Sequence, residues 1–304
     1  MPFDTRQRFE WQLRTRTLTL GRKTLIMGIL NITPDSFSDG GHFYTPEDAR
    51  ERALAQALQM LDEGADILDI GGESTRPNAT PLLADEEQNR ILPVIEAIRK
   101  QKPEAVLSVD TFHAVTAQRA VEAGAEIVND VSGHLWDPAM SATCARLGCG
   151  AILMHTRGRP QDWRTLPPIP SDKVTPLILA GLQERVAAAT ATGISREKIA
   201  IDPGFGFGKY LDENYPLLAH LGQFRQFNLP ILVGVSRKGF LGHTLARTSS
   251  PGVIHVTPSP AQARLHATTA ANVAAILAGA HIVRVHDVRP AAEAAAIADR
   301  ILAF

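Results

Sequence analysis

One repeating alternation constrains this chain more than any other feature. Short apolar runs, of the length expected for buried strands, recur at Leu25–Asn31, Asp66–Gly71, Ala105–Asp110, Glu126–Asp130, Ala151–His155, Ile199–Asp202, Ile231–Ser236 and His281–His286. Helix-like segments lie between them, at Pro46–Glu63, Asp85–Lys100, His113–Ala123, Pro138–Leu147, Asp172–Thr192, Glu213–Leu221, Pro260–Leu277 and Ala291–Leu302. Near-continuous apolar strands need cover on both faces, and strands alternating one for one with helices are joined in parallel. The joints repeat too: EGADIL, AGAEIV and AGAHIV each place a glycine where a helix ends and a strand begins. Thr45-Pro46-Glu47-Asp48 supplies a helix start, with a capping hydroxyl, a proline in the first turn and early acids.

Units of this kind with no intervening linker predict an α/β fold, a (β/α)8 TIM barrel, as one domain spanning 1–304. Ahead of it, Trp11–Leu20 (WQLRTRTLTL) alternates with a period of two and runs into a Gly21-Arg22 turn. A short N-terminal β-hairpin is therefore expected. A doubly wound open sheet is the second architecture such a rhythm allows. It is disfavoured because no Gly-rich dinucleotide fingerprint follows the first strand.

Charge narrows the function classes. Lys plus Arg (31) nearly equals Asp plus Glu (32), so no global field recruits nucleic acid or an anionic membrane, and any anion site must be local. Cys144 and Cys149 have no partners at metal spacing and read as buried reduced thiols. The N-terminus, MPFDTRQRFEWQLR, has no apolar signal core, and the mildest stretch, Thr268–Val283, is too short to span a bilayer. A cytoplasmic protein acting on small molecules is expected.

In barrels of this type the chemistry gathers where strands end. Every predicted strand here ends in a polar or ionisable group: Asn31, Asp69, Asp110, Asn129-Asp130, Met154-His155, Asp202, Ser236-Arg237-Lys238 and Arg284-Val285-His286-Asp287. The first strand also opens into an unusually long, polar stretch, TPDSFSDGG, which reads as a lid carrying metal-friendly oxygens and one aromatic, Phe37. Each residue alone has a plainer reading. Asp110 could cap the next helix, Asn129-Asp130 and Asp202-Pro203-Gly204 could be turn residues, and His155 could be a satisfied core histidine. GFGFGKY matches neither the P-loop nor the dinucleotide spacing. All these plain readings would have to coincide at one rim.

The charges are also sorted around that rim. Asp110, Asn129 and Asp202 suit a flat heterocycle rich in N–H donors, whose edge a carboxylate grips through charge-assisted bonds. Lys238, Arg284 and His286 lie on the last strands beside Asn31 and suit an anion. Asn31 with loop carboxylates and phosphate oxygens suits a hard Mg2+ ion. A donor-rich ring joined to a metal-bridged anion implies an activated, phosphorylated heterocycle as substrate.

NITPDSFSDGG, DIGGESTRP, SVDT, IVNDVSG, LMH, IDPGFGFGK, GVSRKGFLG and RVHDV, in this order, resemble the dihydropteroate synthase family, the pterin-binding barrel enzymes of folate synthesis. The resemblance runs from about Leu25 to Val288. It implies condensation of 6-hydroxymethyl-7,8-dihydropterin pyrophosphate with p-aminobenzoate to 7,8-dihydropteroate, with Mg2+ and SN1-like loss of pyrophosphate. It implies that Asp110, Asn129, Met154, Asp202, Gly234, Lys238 and Arg284 hold the pterin. Phe37, Thr75, Arg76, Pro77, Phe207 and Ser236 would shape the p-aminobenzoate site. Asn31, Arg284 and His286 would bind the pyrophosphate, and Asn31 and Asp39 the metal. A homodimer through the later helices is also implied. The chain departs from the family pattern at Asn78, at His155-Thr156-Arg157 with the Pro-rich segment running to Pro170, and at Arg264–Thr268. Two rivals share the pterin grip. A pterin-dependent methyltransferase should lack the long first loop, and a non-catalytic pterin-binding paralogue should lose rim cations or loop residues.

Overall fold

The computed structural model describes residues 6–33, 45–73, 82–247 and 261–304. β1 (Phe9–Gln12) and β2 (Thr17–Leu20) form an antiparallel hairpin pairing Phe9 with Leu20 and Gln12 with Thr17. The barrel follows as β3 (Leu25–Asn31), α1 (Pro46–Asp62), β4 (Ile67–Gly71), α2 (Ala84–Gln101), β5 (Val106–Asp110), α3 (Ala114–Glu122), β6 (Ile127–Asp130), α4 (Met140–Leu147) and β7 (Gly150–Met154). It continues with α5 (Ser171–Ala191), β8 (Ile199–Asp202), α6 (Asn214–Ala219), β9 (Leu232–Val233), α7 (Gly239–Arg247), α8 (Leu265–Leu277), β10 (Ile282–Val285) and α9 (Val288–Leu302). Lateral order is β8-β7-β6-β5-β4-β3-β10-β9, all parallel, and a bridge from Ile201 to Ile231 brings the two ends of the sheet together. The architecture is the expected TIM barrel with its N-terminal hairpin.

Local chemistry explains the element ends. Thr45 Oγ accepts from the Asp48 amide at 3.2 Å while Asp48 Oδ2 accepts from the Thr45 amide at 3.0 Å, a reciprocal cap that starts α1. Gly64, Gly124, Gly193 and Gly279, after α1, α3, α5 and α8, all take φ between +104° and +120°, where a side chain would be strained.

The hairpin closes the bottom of the barrel. Trp11, Leu13 and Leu20 pack among Leu25, Met27, Ile67, Val106, Ile127, Ile152, Ala200, Leu232 and Ile282, residues from the lower part of every barrel strand. Trp11 is 1% exposed, and its indole N–H donates to the Lys198 carbonyl at 2.9 Å, so a polar atom is satisfied inside the plug. A second, larger apolar layer lies between strands and helices, with Leu68, Ile70, Leu107 and Val109 facing Ile91, Ile95 and Ile98 of α2 and neighbouring helices.

Some boundaries differ from expectation. The seventh predicted strand, Ile231–Ser236, shortens to Leu232–Val233, because the chain turns at once: the Lys238 amide donates back to Val235 O at 3.2 Å. The helix predicted at Glu213–Leu221 stops at Ala219 and gives way to a 3-10 turn, Leu221–Phe227. The helix predicted from Pro260 is described only from Ala261, as a 3-10 turn to Arg264 leading into α8. Helix α7 was unexpected, because Gly239 and Gly242 weaken its signal. At Gly242 a Cβ would stand 2.4 Å from Arg264 Nε, so glycine there permits close packing against that turn.

Candidate active site

Strand register sets the site's first layer. Asn31, Gly71, Asp110 and Asn129 are Cα partners in succession across β3, β4, β5 and β6, and Met154 partners Asp202 across β7 and β8. Residues that partner one another across a parallel sheet share a level and a face, so this row stands at the C-terminal end of the barrel. Gly71 leaves a notch within it. A Cβ there would stand 3.4 Å from Asp110 Cβ and 3.7 Å from Asn31 Oδ1.

Arg284, on β10, joins this layer to the one below. Its Nε donates to Asp69 Oδ2 at 2.6 Å and its Nη2 to Asp110 Oδ2 at 2.5 Å. Asn129 Nδ2 donates to the same Asp69 oxygen at 3.0 Å. Asp69 is wholly buried, and its Oδ1 has no hydrogen-bond partner among the described residues. Burial pushes Asp110 up to about 7 against the pull of Arg284, with the neighbouring Asp69 charge adding to the rise. Burial disfavours the Arg284 cation, but the Asp69 and Asp110 carboxylates outweigh it, so the guanidinium is held above its ordinary value. Across the mouth, burial raises Asp202 to about 6, while its Oδ1 accepts from the Gly204 amide at 2.7 Å.

The plain readings can now be separated. Asp110 does not cap α3: the Ala114 amide at the start of that helix donates to Asp137 Oδ2 at 2.8 Å instead. Asn129 and Asp130 divide the two roles. Asp130 holds a turn by accepting from the Ser132 and His134 amides, while Asn129 turns to Asp69. Asp202 does both, since it stabilises its turn with one oxygen. His155 is buried with Nδ1 unpartnered among the described residues.

The loop after β8 is organised by Lys209. Its buried ammonium donates to the carbonyls of His155, Gly204 and Phe207 at 3.0, 2.6 and 3.0 Å. Gly204 takes φ +72°, and a Cβ there would reach within 2.0 Å of the His155 carbonyl, so only glycine lets the two loops touch. Phe207 is thereby placed under Lys238, whose Nζ lies 4.0 Å from the ring centroid. Burial lowers Lys238 to about 8, and the Arg284 charge adds to the fall.

Arg237, at φ +56°, precedes Lys238 and is tied to Asp287 by bonds of 3.0 and 2.5 Å. The Arg237 amide donates to Thr268 Oγ at 3.0 Å, so α8 and the residue that precedes α9 both hold this turn. Ser236 Oγ lies 3.0 Å from His286 Nδ1 and accepts from the His286 amide at 3.2 Å. Burial, reinforced by Arg237 and Arg284, takes His286 down to about 3. That shift favours the neutral ring, which can still donate a hydrogen bond to an anion. Gly234 sits beside Arg284, where a Cβ would come 3.8 Å from Arg284 Cβ.

Phe37, Asp39, Thr75, Arg76, Pro77 and Asn78 lie outside the described residues. The structure gives parts to residues whose role the sequence left open: Asp69, Arg237 and Asp287, read only as polar strand ends, and Lys209, which the sequence did not single out. The signals existed. Asp69 is an acid inside an apolar run, and Lys209 a base closing a glycine-aromatic one.

Two places offer metal-type donors. Asn31 Oδ1 borders the Gly71 notch, a hard oxygen of the kind Mg2+ takes. Glu73, Glu87 and His113 bring donor atoms within 4.8 Å of one another. There Glu87 Oε2 already accepts from Thr111 Oγ at 2.9 Å and lies 3.0 Å from His113 Nδ1, a hydrogen-bonded knot of side chains.

Against known proteins, residues 27–286 match the sequence model of the family described as Pterin binding enzyme. The chain belongs to the pterin-binding enzyme family. This pterin-binding enzyme is 42% identical to the dihydropteroate synthase of Escherichia coli K12 over 277 residues, 91% of each chain. It is similar to a dihydropteroate synthase from Xanthomonas albilineans solved with 4-aminobenzoic acid (TM-score 0.84, 38% identity, 99% of this chain and 100% of that one). It is also similar to that organism's enzyme solved with 7,8-dihydropteroate (TM-score 0.81, 36% identity, 98% and 100% covered). Like them it is a transferase of the folate-synthesis group.

Proposed function

We propose that this chain, acting as one domain, condenses 6-hydroxymethyl-7,8-dihydropterin pyrophosphate with p-aminobenzoate. The observation that carries this reading is the sorting of charge at one mouth. In strand order the acids and amide (Asp202, Asn129, Asp110 and Asp69, on β8, β6, β5 and β4) are followed by Asn31 on β3, Arg284 on β10 and Lys238 after β9, and Arg284 reaches back to pair with Asp69 and Asp110. A pterin offers ring N–H and amino donors along one edge, which a buried carboxylate accepts through bonds worth about 1.5–3 kcal/mol each. The X. albilineans complexes with 4-aminobenzoic acid and 7,8-dihydropteroate support the same substrate pair.

The chemistry then needs no side-chain nucleophile. The C–O bond to pyrophosphate breaks with its electron pair leaving on oxygen, and the electron-rich dihydropterin spreads the positive charge left on its methylene carbon. The aromatic amine forms the new C–N bond and gives up a proton. Arg284 and His286 would bind and stabilise the departing anion, with Lys238 beside them, and Asp110 and Asp202 favour the cationic ring. Removing one such preorganised group typically costs ~10²–10³ in rate. Asn31 and Asp39 would hold Mg2+, which when bound neutralises charge on the pyrophosphate.

We propose further that the enzyme is cytoplasmic and works as a homodimer. Buried free Cys144 and Cys149 fit a reducing compartment, and no described helix is long and apolar enough to cross a membrane. Ile297, Ile301 and Phe304 on and after α9 are exposed, 66%, 43% and 95%, and offer an apolar contact face. The test is pyrophosphate release with and without p-aminobenzoate, before and after chelation and Mg2+ return. Release that needs both additions is expected. Methyl transfer to a corrinoid, or pterin binding with no turnover, would refute the reading.

A further inference from the structure

The loop after β7, where the sequence departs from its family, is fastened to the loop that carries Phe207. Arg157 Nη1 donates to Gly208 O at 3.1 Å and Nη2 to Pro167 O at 3.0 Å, and the Ile169 amide donates to Glu213 Oε1 at 2.7 Å. At its apex Asp162 accepts from the amides of Arg159 and Thr165, which fixes the turn holding Trp163. Trp163 meets Phe207 at 86° with ring centroids 5.3 Å apart, the edge-to-face arrangement aromatic quadrupoles prefer. Both rings belong to one apolar cluster with Val131, Met154, Phe112 and Trp136. The Trp163 indole nitrogen is sealed from solvent and has no hydrogen-bond partner among the described residues, so no polar bond of its own accounts for this placement.

We propose that Trp163 is a positioning residue for the p-aminobenzoate side of the site. It acts through Phe207, the ring on which Lys238 also rests. The inference rests on the proposed function, since it assigns Phe207 to the second substrate. Trp163 constrains the ring from one partner and Lys238 from another, so loosening the first lets Phe207 drift from the geometry the aromatic amine requires. The polar part of the pterin grip, Asp69, Asp110, Asn129 and Asp202, lies outside this apolar cluster, so the effect falls mainly on the second substrate.

The test compares Trp163→Leu with Trp163→Phe in steady-state kinetics, with thermal melts confirming that both are folded. Leu removes the aromatic pairing and should raise KM for p-aminobenzoate about 3- to 10-fold, leaving kcat and the KM for the pterin substrate within about twofold. Phe keeps an edge-to-face partner and should restore KM to within about twofold of the parent. Should the Leu variant not fold, Trp163→Met carries the same comparison. Unchanged KM in the aliphatic variant, a Phe variant as impaired as it, or a fall confined to kcat overturns the inference alone. A parent enzyme without p-aminobenzoate-dependent turnover overturns the functional reading and this inference together.

Discussion

Asp69→Asn tests the site at its least expected point. One oxygen of Asp69 receives both Arg284 Nε, at 2.6 Å, and Asn129 Nδ2, at 3.0 Å, at zero solvent exposure. The amide can still offer one oxygen to both donors, but the bond to the guanidinium keeps only one ionised partner and loses its ion-pair character, a loss of about 1–1.5 kcal/mol. Its NH2 must then occupy the place of Oδ1, which has no partner among the described residues, and a buried unsatisfied donor costs about 1–3 kcal/mol. Relief of a buried charge offsets part of this, so a net loss of ~1–3 kcal/mol is expected. At ~2–4 °C per kcal/mol for chains approaching this size, Tm should fall by ~3–10 °C. Among the described residues Arg284 would then keep its only ion pair with Asp110, and a misplaced catalytic group can cost ~10²-fold in kcat/KM. Differential scanning fluorimetry reads the first effect, and kcat/KM for the pterin substrate the second. If the variant keeps the parent's Tm and kcat/KM, Asp69 does not orient the guanidinium and the two-layer account of the site is wrong.

Two further outcomes follow from the same geometry. Asp110 and Asp202 act as carboxylates and sit near 7 and 6, so kcat/KM should begin to fall as pH drops through about 7 and steepen below about 6. Lys238 acts as a cation and sits near 8, so it should fall again above about 8. Lys238→Arg should move the alkaline limb out of the measurable range, and a pH profile whose alkaline limb stays in place would separate Lys238 from it. At the opposite end of the barrel, Trp11→Ala should cost ~3–5 kcal/mol, read as a Tm lower by ~10 °C, with both KM values unchanged. A KM shift in that variant would show that the plug and the mouth are coupled.

Strand ends were readable because a period of one strand and one helix, repeated, fixes which residues face the rim. Asp110, Asn129 and Asp202 needed nothing more than that rule. Asp69 was read as the polar end of its strand but without its role, because it lies two residues before the end of β4 and joins the site only when the long Arg284 side chain reaches down to it. That reach depends on two strands, β4 and β10, far apart in sequence. Lys209 escaped for a related reason: its partners are backbone carbonyls, which no residue pattern announces. The hairpin's alternation was visible but not its role as a plug. That role depends on where the chain folds back, and there Arg6 pairs with Asp299 of α9 at 2.7 Å, almost a full chain length away.

The two ends of the barrel are held in opposite thermodynamic conditions. At the bottom, apolar residues from the hairpin and every barrel strand leave water, and the one indole N–H buried with them is bonded. At the top, Asp110 and Asp202 are pushed above their ordinary range and Lys238 below its own, each primarily by burial. A shifted pKa of this kind means the charged form is less favourable in the fold than in water, at 1.36 kcal/mol per unit. The mouth is therefore a region where charge has been desolvated without full compensation. The Asp69 oxygen that lacks a partner points the same way. A ligand bringing N–H donors to the carboxylates and an anion to Lys238 and Arg284 relieves that condition, so part of its binding energy is released from the protein rather than newly made. Stability supplied at the bottom is what allows the top to remain in this state until such a ligand arrives.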